Sequence, residues 1–187
     1  KALDAGAYGI ICPMVNTADD AARFASCLRY PPHGQRSFGP TRVSFAAGAN
    51  YAGEANDNML AFAMIETAEA MVNLDAIAAT PDLDGLYIGP ADLTLSLTGG
   101  KLAPGFDREE PEMIAAIKSI LEACKKNGIR AGIHCGTPDY AAKAIGWGFD
   151  LTTVGGDSRF LAAAAGAAVT KFRDLTSGTA KTEKGAY

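Results

Sequence analysis

The sequence predicts an α/β protein built on a parallel sheet, and three observations carry that expectation. Five short apolar runs bounded by Gly and Pro recur along the 187 residues, each followed by a stretch with helical spacing. None of the connections carries the tight turn of an antiparallel hairpin. The runs are too apolar to alternate, as strands buried on both faces are. Strand–helix alternation of this kind means a parallel sheet, either doubly wound or closed into a barrel. A (β/α)₈ barrel needs about 250 residues. Five βα units that begin inside an element fit the last five-eighths of such a barrel, and an open five-stranded sheet fits the count equally well.

The first strand is Gly9-Ile10-Ile11-Cys12-Pro13, preceded by an apparent helix end, Lys1-Ala2-Leu3-Asp4-Ala5, with Gly6 as its C′ residue. Thr17 followed by Asp20 resembles a capping box and opens a helix to about Leu28. Residues 30–58 are polar and Gly-rich, too long for a simple loop, and so functional or partly helical. The run Ala61-Phe62-Ala63-Met64-Ile65 reads as the second strand. A helix over 68–78 follows, with Met71, Leu74 and Ile77 as its inner stripe. Leu86-Tyr87-Ile88 is the third strand, and a helix start is expected just past Gly89-Pro90-Ala91-Asp92. After a loop over 98–107, a helix runs from Pro111 to Lys126, stopped by Asn127-Gly128. The fourth strand is 129–135, and Pro138 sits at N1 of a helix to Trp147. The fifth strand is 150–154, and Asp157 or Ser158 caps a long Ala-rich helix. The tail from Ser177 to Tyr187 is polar and irregular by composition.

Composition excludes several classes. A net charge of −4 and 20% charged residues, with mean hydropathy +0.05 and pI 5.2, describe an ordinary globular domain. No basic stripe with interleaved aromatics is present, which argues against nucleic acid. No apolar run reaches the roughly 18 residues of a membrane span, and no signal peptide opens the chain. The four cysteines lack CxxC spacing and are expected as reduced, mostly buried thiols of a cytoplasmic protein.

Two acids close the second and third apolar runs. Glu66 ends Ala61-Phe62-Ala63-Met64-Ile65-Glu66, and Asp92 follows Leu86-Tyr87-Ile88-Gly89-Pro90-Ala91. Carboxyl ends of parallel strands are where such folds place chemistry. Two carboxylates there, with no cationic neighbour in sequence, suit a hard divalent cation held by few protein ligands plus substrate. Such a site would bind a 2-oxo acid and act as a Lewis acid when a C–C bond is made or broken. The alternative is that each acid is only a helix cap or first-turn residue. The small-residue turn Gly89-Pro90-Ala91 lets backbone N–H groups approach an anion. With only two histidines, a His-rich zinc site is excluded within this segment. His134, near the end of the fourth run, reads as a hydrogen-bonded wall residue before a base or a ligand, and His33 reads as exposed loop. None of the nine lysines ends a strand, which argues against a Schiff-base aldolase. No nucleophile elbow for a Ser or Cys triad appears.

The stretches Leu3-Asp4-Ala5-Gly6-Ala7, Cys12-Pro13-Met14-Val15, Arg29-Tyr30-Pro31-Pro32-His33-Gly34-Gln35-Arg36-Ser37-Phe38-Gly39-Pro40, Met64-Ile65-Glu66-Thr67 and Gly85-Leu86-Tyr87-Ile88-Gly89-Pro90-Ala91-Asp92-Leu93 resemble, in order and spacing, the HpcH/HpaI aldolase family. The resemblance implies a (β/α)₈ TIM barrel, of which residues 1–187 would be the C-terminal portion, with three N-terminal βα units preceding Lys1. It implies a class II, divalent-metal-dependent aldolase (Mg²⁺, Mn²⁺ or Co²⁺) that cleaves 4-hydroxy-2-oxo acids to pyruvate and an aldehyde through a metal-stabilised enolate. By position, Glu66 and Asp92 would be the metal ligands, and Ala91 and Asp92 the backbone donors to the pyruvate carboxylate. Asp4 would be the acidic partner of the family's catalytic histidine, serving a neighbouring subunit. Phe38 and His134 would be pocket walls that shape aldehyde selectivity.

Two departures accompany the resemblance. The family's catalytic histidine and its pyruvate-binding arginine both fall before Lys1, and neither His33 nor Arg36 occupies those positions. Members often carry Gln where this chain has Met64, whose thioether donates no hydrogen bond. The resemblance also implies a trimer or hexamer, and five strands of a closed barrel leave two unpaired edges. Competing expectations are a citrate-lyase β-like acyl-CoA lyase and a catalytically incomplete assembly subunit.

Overall fold

The computed structural model describes residues 1–179. Five strands, β1 (Gly9–Cys12), β2 (Leu60–Ile65), β3 (Gly85–Ile88), β4 (Arg130–Ile133) and β5 (Leu151–Thr152), form one sheet. All pairings are parallel, and the strand order is β1-β2-β3-β4-β5. That order decides between the two expected architectures. A doubly wound sheet reverses its order at a switch point, whereas a barrel wall adds each strand beside the last. The helices are α1 (Ala18–Leu28), α2 (Thr41–Ala47), α3 (Tyr51–Asn58), α4 (Ala68–Val72), α5 (Leu74–Ala78), α6 (Pro90–Thr98), α7 (Pro111–Asn127), α8 (Pro138–Trp147) and α9 (Asp157–Thr179).

The two-residue period of the strands divides the sheet into a helix-covered face and an inner face. Ala61, Ala63, Ile65, Leu86, Ile88, Ala131 and Ile133 point toward the helices and are at most 1% exposed. They pack with Ala21 and Ala25 of α1, Ile77 of α5, and Ile117 and Ile120 of α7 in one continuous core. The opposite face carries Phe62 and Met64 of β2, Gly85 and Tyr87 of β3, and Gly132 of β4. The glycines there make room for aromatics on the preceding strand. A Cβ on Gly85 would stand 2.4 Å from Phe62 Cε1, and one on Gly132 would stand 2.6 Å from Tyr87 Cδ2. Small beside large is how an inner barrel layer is filled.

At the amino ends of the strands one device recurs. Asp84, just before β3, accepts the Ala61 N–H of β2 at 2.7 Å and Arg29 Nη2 at 2.9 Å. Asp150, just before β5, accepts the Ala131 N–H of β4 at 3.0 Å and Arg130 Nη1 at 2.9 Å. Each acid ties a neighbouring strand's amino end to a cation. Arg29 also gives Nη1 to Met59 O at 2.9 Å, so a buried guanidinium is paired and bonded as burial requires.

Local signals hold at several ends. Thr17 and Asp20 form the expected capping box, Gly128 ends α7 at φ 68°, and Pro138 opens α8 behind the Thr137 cap. The connection over 30–58 is partly helical, as its length implied: it contains α2 and α3, which bury Val43, Tyr51 and Ala55. Other expectations are corrected. The single helix over 68–78 is two, because Asn73 leaves the helix at φ −96°, ψ 9° and its Nδ2 bonds Asn16 O at 2.9 Å. The chain start is a run of turns, not a helix end, with Gly6 at φ 113°. Helix α9 takes in Ser177 through Thr179 of the tail expected to be irregular, and the rest of that tail lies outside the described residues. Of the four free thiols, Cys124 and Cys135 are buried, Cys12 is half-buried and Cys27 is exposed. Among the described residues no helix is long and apolar enough to cross a membrane.

Candidate active site

The site grows from the inner-face parity at the strand carboxyl ends. Met64 and Glu66, Tyr87 and Gly89, and Gly132 and His134 continue the inner faces of β2, β3 and β4. Together with Pro90, Ala91, Asp92 and Phe106, five of these residues (Met64, Glu66, Tyr87, Gly89 and His134) line a cavity of about 180 Å³. No Lys or Arg lines it among the described residues.

Glu66 is 5% exposed. Its Oε1 accepts the Met14 backbone N–H at 2.8 Å, an amide delivered by Met14 at φ 57°. A non-glycine residue in that left-handed region is uncommon and occurs where surroundings compel it. On the other side, a Cβ on Gly89 would fall 2.6 Å from Glu66 Oε2, so only glycine leaves the carboxylate its place. Burial raises the Glu66 pKa above the usual carboxylate range. The Met14 N–H opposes that rise, and the charge of Asp92 adds to it.

Asp92 lies in the first turn of α6, after Gly89 as N-cap and Pro90 at N1. The N–H groups of Ala91 and Asp92 are in the turn where no intrahelical acceptor exists, and the helix dipole adds positive potential there. Helix α6 is pinned to the start of α4 by Ser96, whose Oγ accepts the Ala68 N–H at 2.8 Å.

The far wall is aromatic. Tyr87 OH and His134 Nδ1 are 3.2 Å apart, and the Phe106 ring lies over the imidazole at 4.5 Å between centroids. Phe106 is brought there because the next residue, Asp107, is clamped across the barrel mouth. Its carboxylate accepts Gly136 N–H and Thr137 Oγ1–H, each at 2.7 Å.

The structure thus brings together Glu66, Ala91, Asp92 and His134. It places Asp4 and Phe38 elsewhere. Asp4 Oδ1 accepts Arg36 Nη2 at 2.9 Å, and that buried guanidinium also donates to Tyr51 OH at 2.8 Å and stacks on Tyr30 at 4.5 Å. Phe38 is 73% exposed and lines a separate shallow hollow with Gly39, Pro40, Thr41 and Ser44. Three contributors were missed in sequence. Tyr87 was recoverable from its two-residue spacing to Gly89. Phe106 sits in an irregular loop, and Met14 contributes only a backbone N–H, so neither left a signal.

The donor chemistry fits a hard divalent cation. Two carboxylates face one small cavity with no Lys or Arg in its lining, and one of them is buried and destabilised by the other. No third His, Cys, Asp or Glu completes a cluster among the described residues, which leaves coordination positions for substrate and water, as oxygen-ligand sites commonly do.

Known proteins resemble this chain along most of its length. A "Hydroxypyruvate/pyruvate aldolase" of Rhizorhabdus wittichii is 45% identical over 175 residues, covering 94% of this chain and 68% of that protein. A "2-keto-3-deoxy-L-rhamnonate aldolase" of Shigella sonnei is 34% identical over 163 residues, covering 84% of this chain and 58% of that protein. The chain therefore spans roughly three-fifths to two-thirds of these relatives. Among solved structures, an HpcH/HpaI aldolase/citrate lyase family protein from Burkholderia cenocepacia superposes with a TM-score of 0.79 at 33% identity, over 92% of this chain and 67% of that one. With the HpcH/HpaI aldolase/citrate lyase family model matching residues 1–164, the chain belongs to that family.

Proposed function

We propose that this chain carries the metal and oxo-acid half of a class II aldolase site, which cleaves a 4-hydroxy-2-oxo acid to pyruvate and an aldehyde. The observation that carries the proposal is the buried carboxylate of Glu66 beside the exposed Asp92 at one cavity of about 180 Å³, with no Lys or Arg in its lining among the described residues. That size suits a small oxo acid better than an acyl-CoA thioester. The relatives' names, pyruvate and keto-deoxy-sugar-acid aldolases, support the same chemistry.

Glu66 and Asp92 would hold Mg²⁺, Mn²⁺ or Co²⁺. When bound, the cation supplies Lewis-acid stabilisation of negative charge at the 2-oxo oxygen. The Ala91 and Asp92 N–H groups receive the substrate carboxylate at the α6 N-terminus. Gly89 and the Met14 N–H keep Glu66 in one orientation, so no reorganisation is needed as charge develops. In the cleavage, the C3–C4 bond breaks and the 4-hydroxyl gives up its proton as the aldehyde leaves. C3 then takes a proton to complete pyruvate. The aldehyde half lies toward Tyr87, Phe106 and His134, which form the wall away from the acids.

Asp4 and Phe38 lie outside this cavity, and we assign them to the pocket of a neighbouring copy in a homo-oligomer. There Asp4 Oδ2, not engaged by Arg36, would orient the histidine that takes the 4-hydroxyl proton, as the family resemblance implies. Pyruvate release by the full-length protein, with and without EDTA, tests the proposal. Loss on chelation and recovery with Mg²⁺ or Mn²⁺ is expected. Activity that survives complete metal removal would refute the metal role, and unaltered activity in Glu66→Ala or Asp92→Ala would refute the ligand assignment.

A further inference from the structure

Phe106 stands at the cavity on a loop that is tied down immediately behind it. The next residue, Asp107, has φ 54°, a left-handed backbone that a non-glycine residue adopts where its surroundings compel it. Two bonds to the turn after β4 supply that compulsion. Asp107 Oδ1 accepts the Gly136 N–H and Oδ2 the Thr137 hydroxyl proton, each at 2.7 Å. Thr137 Oγ1 in turn accepts the Tyr140 N–H at 3.3 Å, which carries the tie into the first turn of α8. Arg108 follows, 8% exposed. Its carbonyl accepts the Tyr140 O–H at 2.7 Å. Its guanidinium donates back to Ala103 O from Nη1 and to Glu110 Oε2 from Nε, both at 3.0 Å. The loop around Phe106 is thus closed on itself and fastened to α8.

The ring fills a matching seat. Its centroid lies 4.5 Å from that of the His134 imidazole, and Arg159 Cζ stands over it at 5.0 Å. Gly136 leaves the room. A Cβ there would stand 3.3 Å from Phe106 Cβ, 3.4 Å from Phe106 Cδ2 and 3.3 Å from Asp107 Oδ2. Ring and clamp therefore share the space of one absent side chain. Strain maintained beside a cavity points to a function for the side chain it places. Phe106 offers that cavity an apolar surface and no acid, base or donor of its own.

We propose that Phe106 sets the upper length of the aldehyde half of the substrate, and that Asp107 is the residue that positions it. The length limit rests on the aldolase reading of the cavity, whereas the positioning rests on the bonds alone. A cavity of about 180 Å³ holds an oxo acid and a short carbon chain beyond it. A longer chain running along the aromatic wall meets the Phe106 ring, which cannot withdraw while Asp107 holds the backbone beside it. An apolar wall discriminates by the methylenes it must displace, each worth a factor of about ten or more.

The test uses the full-length protein, pyruvate as donor, and the ratio of kcat/KM for hexanal to that for propanal. Phe106→Ala is expected to raise the ratio about tenfold or more, and Asp107→Ala to raise it in the same direction. Asp107→Asn keeps an acceptor oxygen and tolerates the left-handed backbone, so its ratio is expected to stay near that of the wild type. A merely structural Asp107 would lower both aldehydes by one factor and leave the ratio unmoved. An unmoved ratio in Phe106→Ala overturns the length limit, and one that moves there but not in Asp107→Ala overturns the positioning. In parallel, the His134 ring protons, identified in NMR spectra by their loss in His134→Gln, report the ring current of Phe106. Phe106→Leu and Asp107→Ala are expected to shift them alike, and an Asp107→Ala spectrum matching the wild type overturns the positioning. Absence of product from both aldehydes in the wild type refutes the aldolase reading and the length limit with it, while the spectra still decide what Asp107 does.

Discussion

Replacing Gly89 by Ala isolates the geometry of the site from the stability of the fold. The backbone at Gly89, φ −97° and ψ 89°, is outside the left-handed region, so the change is not a conformational one. The added methyl would stand 2.6 Å from Glu66 Oε2, 3.1 Å from Met64 Sδ and 3.2 Å from Glu66 Cβ. Ordinary contact begins near 3.4 Å, so the carboxylate must retreat by about 0.8 Å. Metal–ligand distances tolerate only about ±0.2 Å. The retreat also strains the 2.8 Å bond from the Met14 N–H. A hydrogen bond to a charged group contributes about 1.5–3 kcal/mol, and partial loss implies destabilisation of about 1–2 kcal/mol. The fold should survive. Affinity for Mn²⁺, measured by calorimetric titration beside a thermal melt, should fall about 10- to 100-fold, as when a ligand's support is removed. A folded Gly89→Ala variant that binds Mn²⁺ like the wild type would show that Glu66 is not held where the geometry puts it.

Other outcomes follow from the same contacts. Glu66→Gln should raise the melting temperature of the metal-free protein at pH 7. The folded-state pKa of Glu66 lies above its ordinary value, so its ionisation opposes folding increasingly as pH rises past that ordinary value and fully above the raised one. The advantage of Gln should shrink as pH falls toward 4.5, and a constant advantage across that range would contradict the assignment. Asp84→Ala leaves the buried Arg29 without its carboxylate and the Ala61 N–H without its acceptor. Because Asp84 is itself about one-third exposed, urea unfolding should show a loss of about 2–3 kcal/mol rather than the full cost of breaking a buried pair. For the thiols, burial pushes Cys124 and Cys135 up to about 11, so iodoacetamide at pH 8 should label Cys27 first and leave these two intact in the folded protein. Mass spectrometry of the labelled peptides distinguishes the order.

Much of the fold could be read from residues because the buried strands are short apolar runs with Gly or Pro at their ends, and because caps such as Thr17 and Gly128 act locally. Asn73 escaped detection because its break is enforced by Asn16, distant in sequence. The order of strands was likewise invisible to periodicity, since open and closed sheets bury the same residue types. The two acids were legible because strand ends are few and carboxylates there are conspicuous. Their setting was not. Gly89 looked like a turn residue until its missing Cβ was found to house Glu66 Oε2, and Met14 acts through its main chain alone. Phe38 and Asp4 entered through family resemblance, and the fold sets both apart from the cavity. His134 was a wall candidate by position, and it does line the cavity.

The central claim is that Glu66 and Asp92 hold a divalent cation that makes the pyruvate methyl group acidic. Proton exchange at that methyl, followed by ¹H NMR of pyruvate in D₂O, needs no aldehyde and no coupled enzyme. With Mg²⁺ or Mn²⁺ the full-length protein should catalyse exchange, lose it on complete chelation, and regain it when the cation returns. Glu66→Gln and Asp92→Asn should stay inactive at the same metal concentration. Exchange that continues undiminished without metal, or in both variants, would contradict the claim.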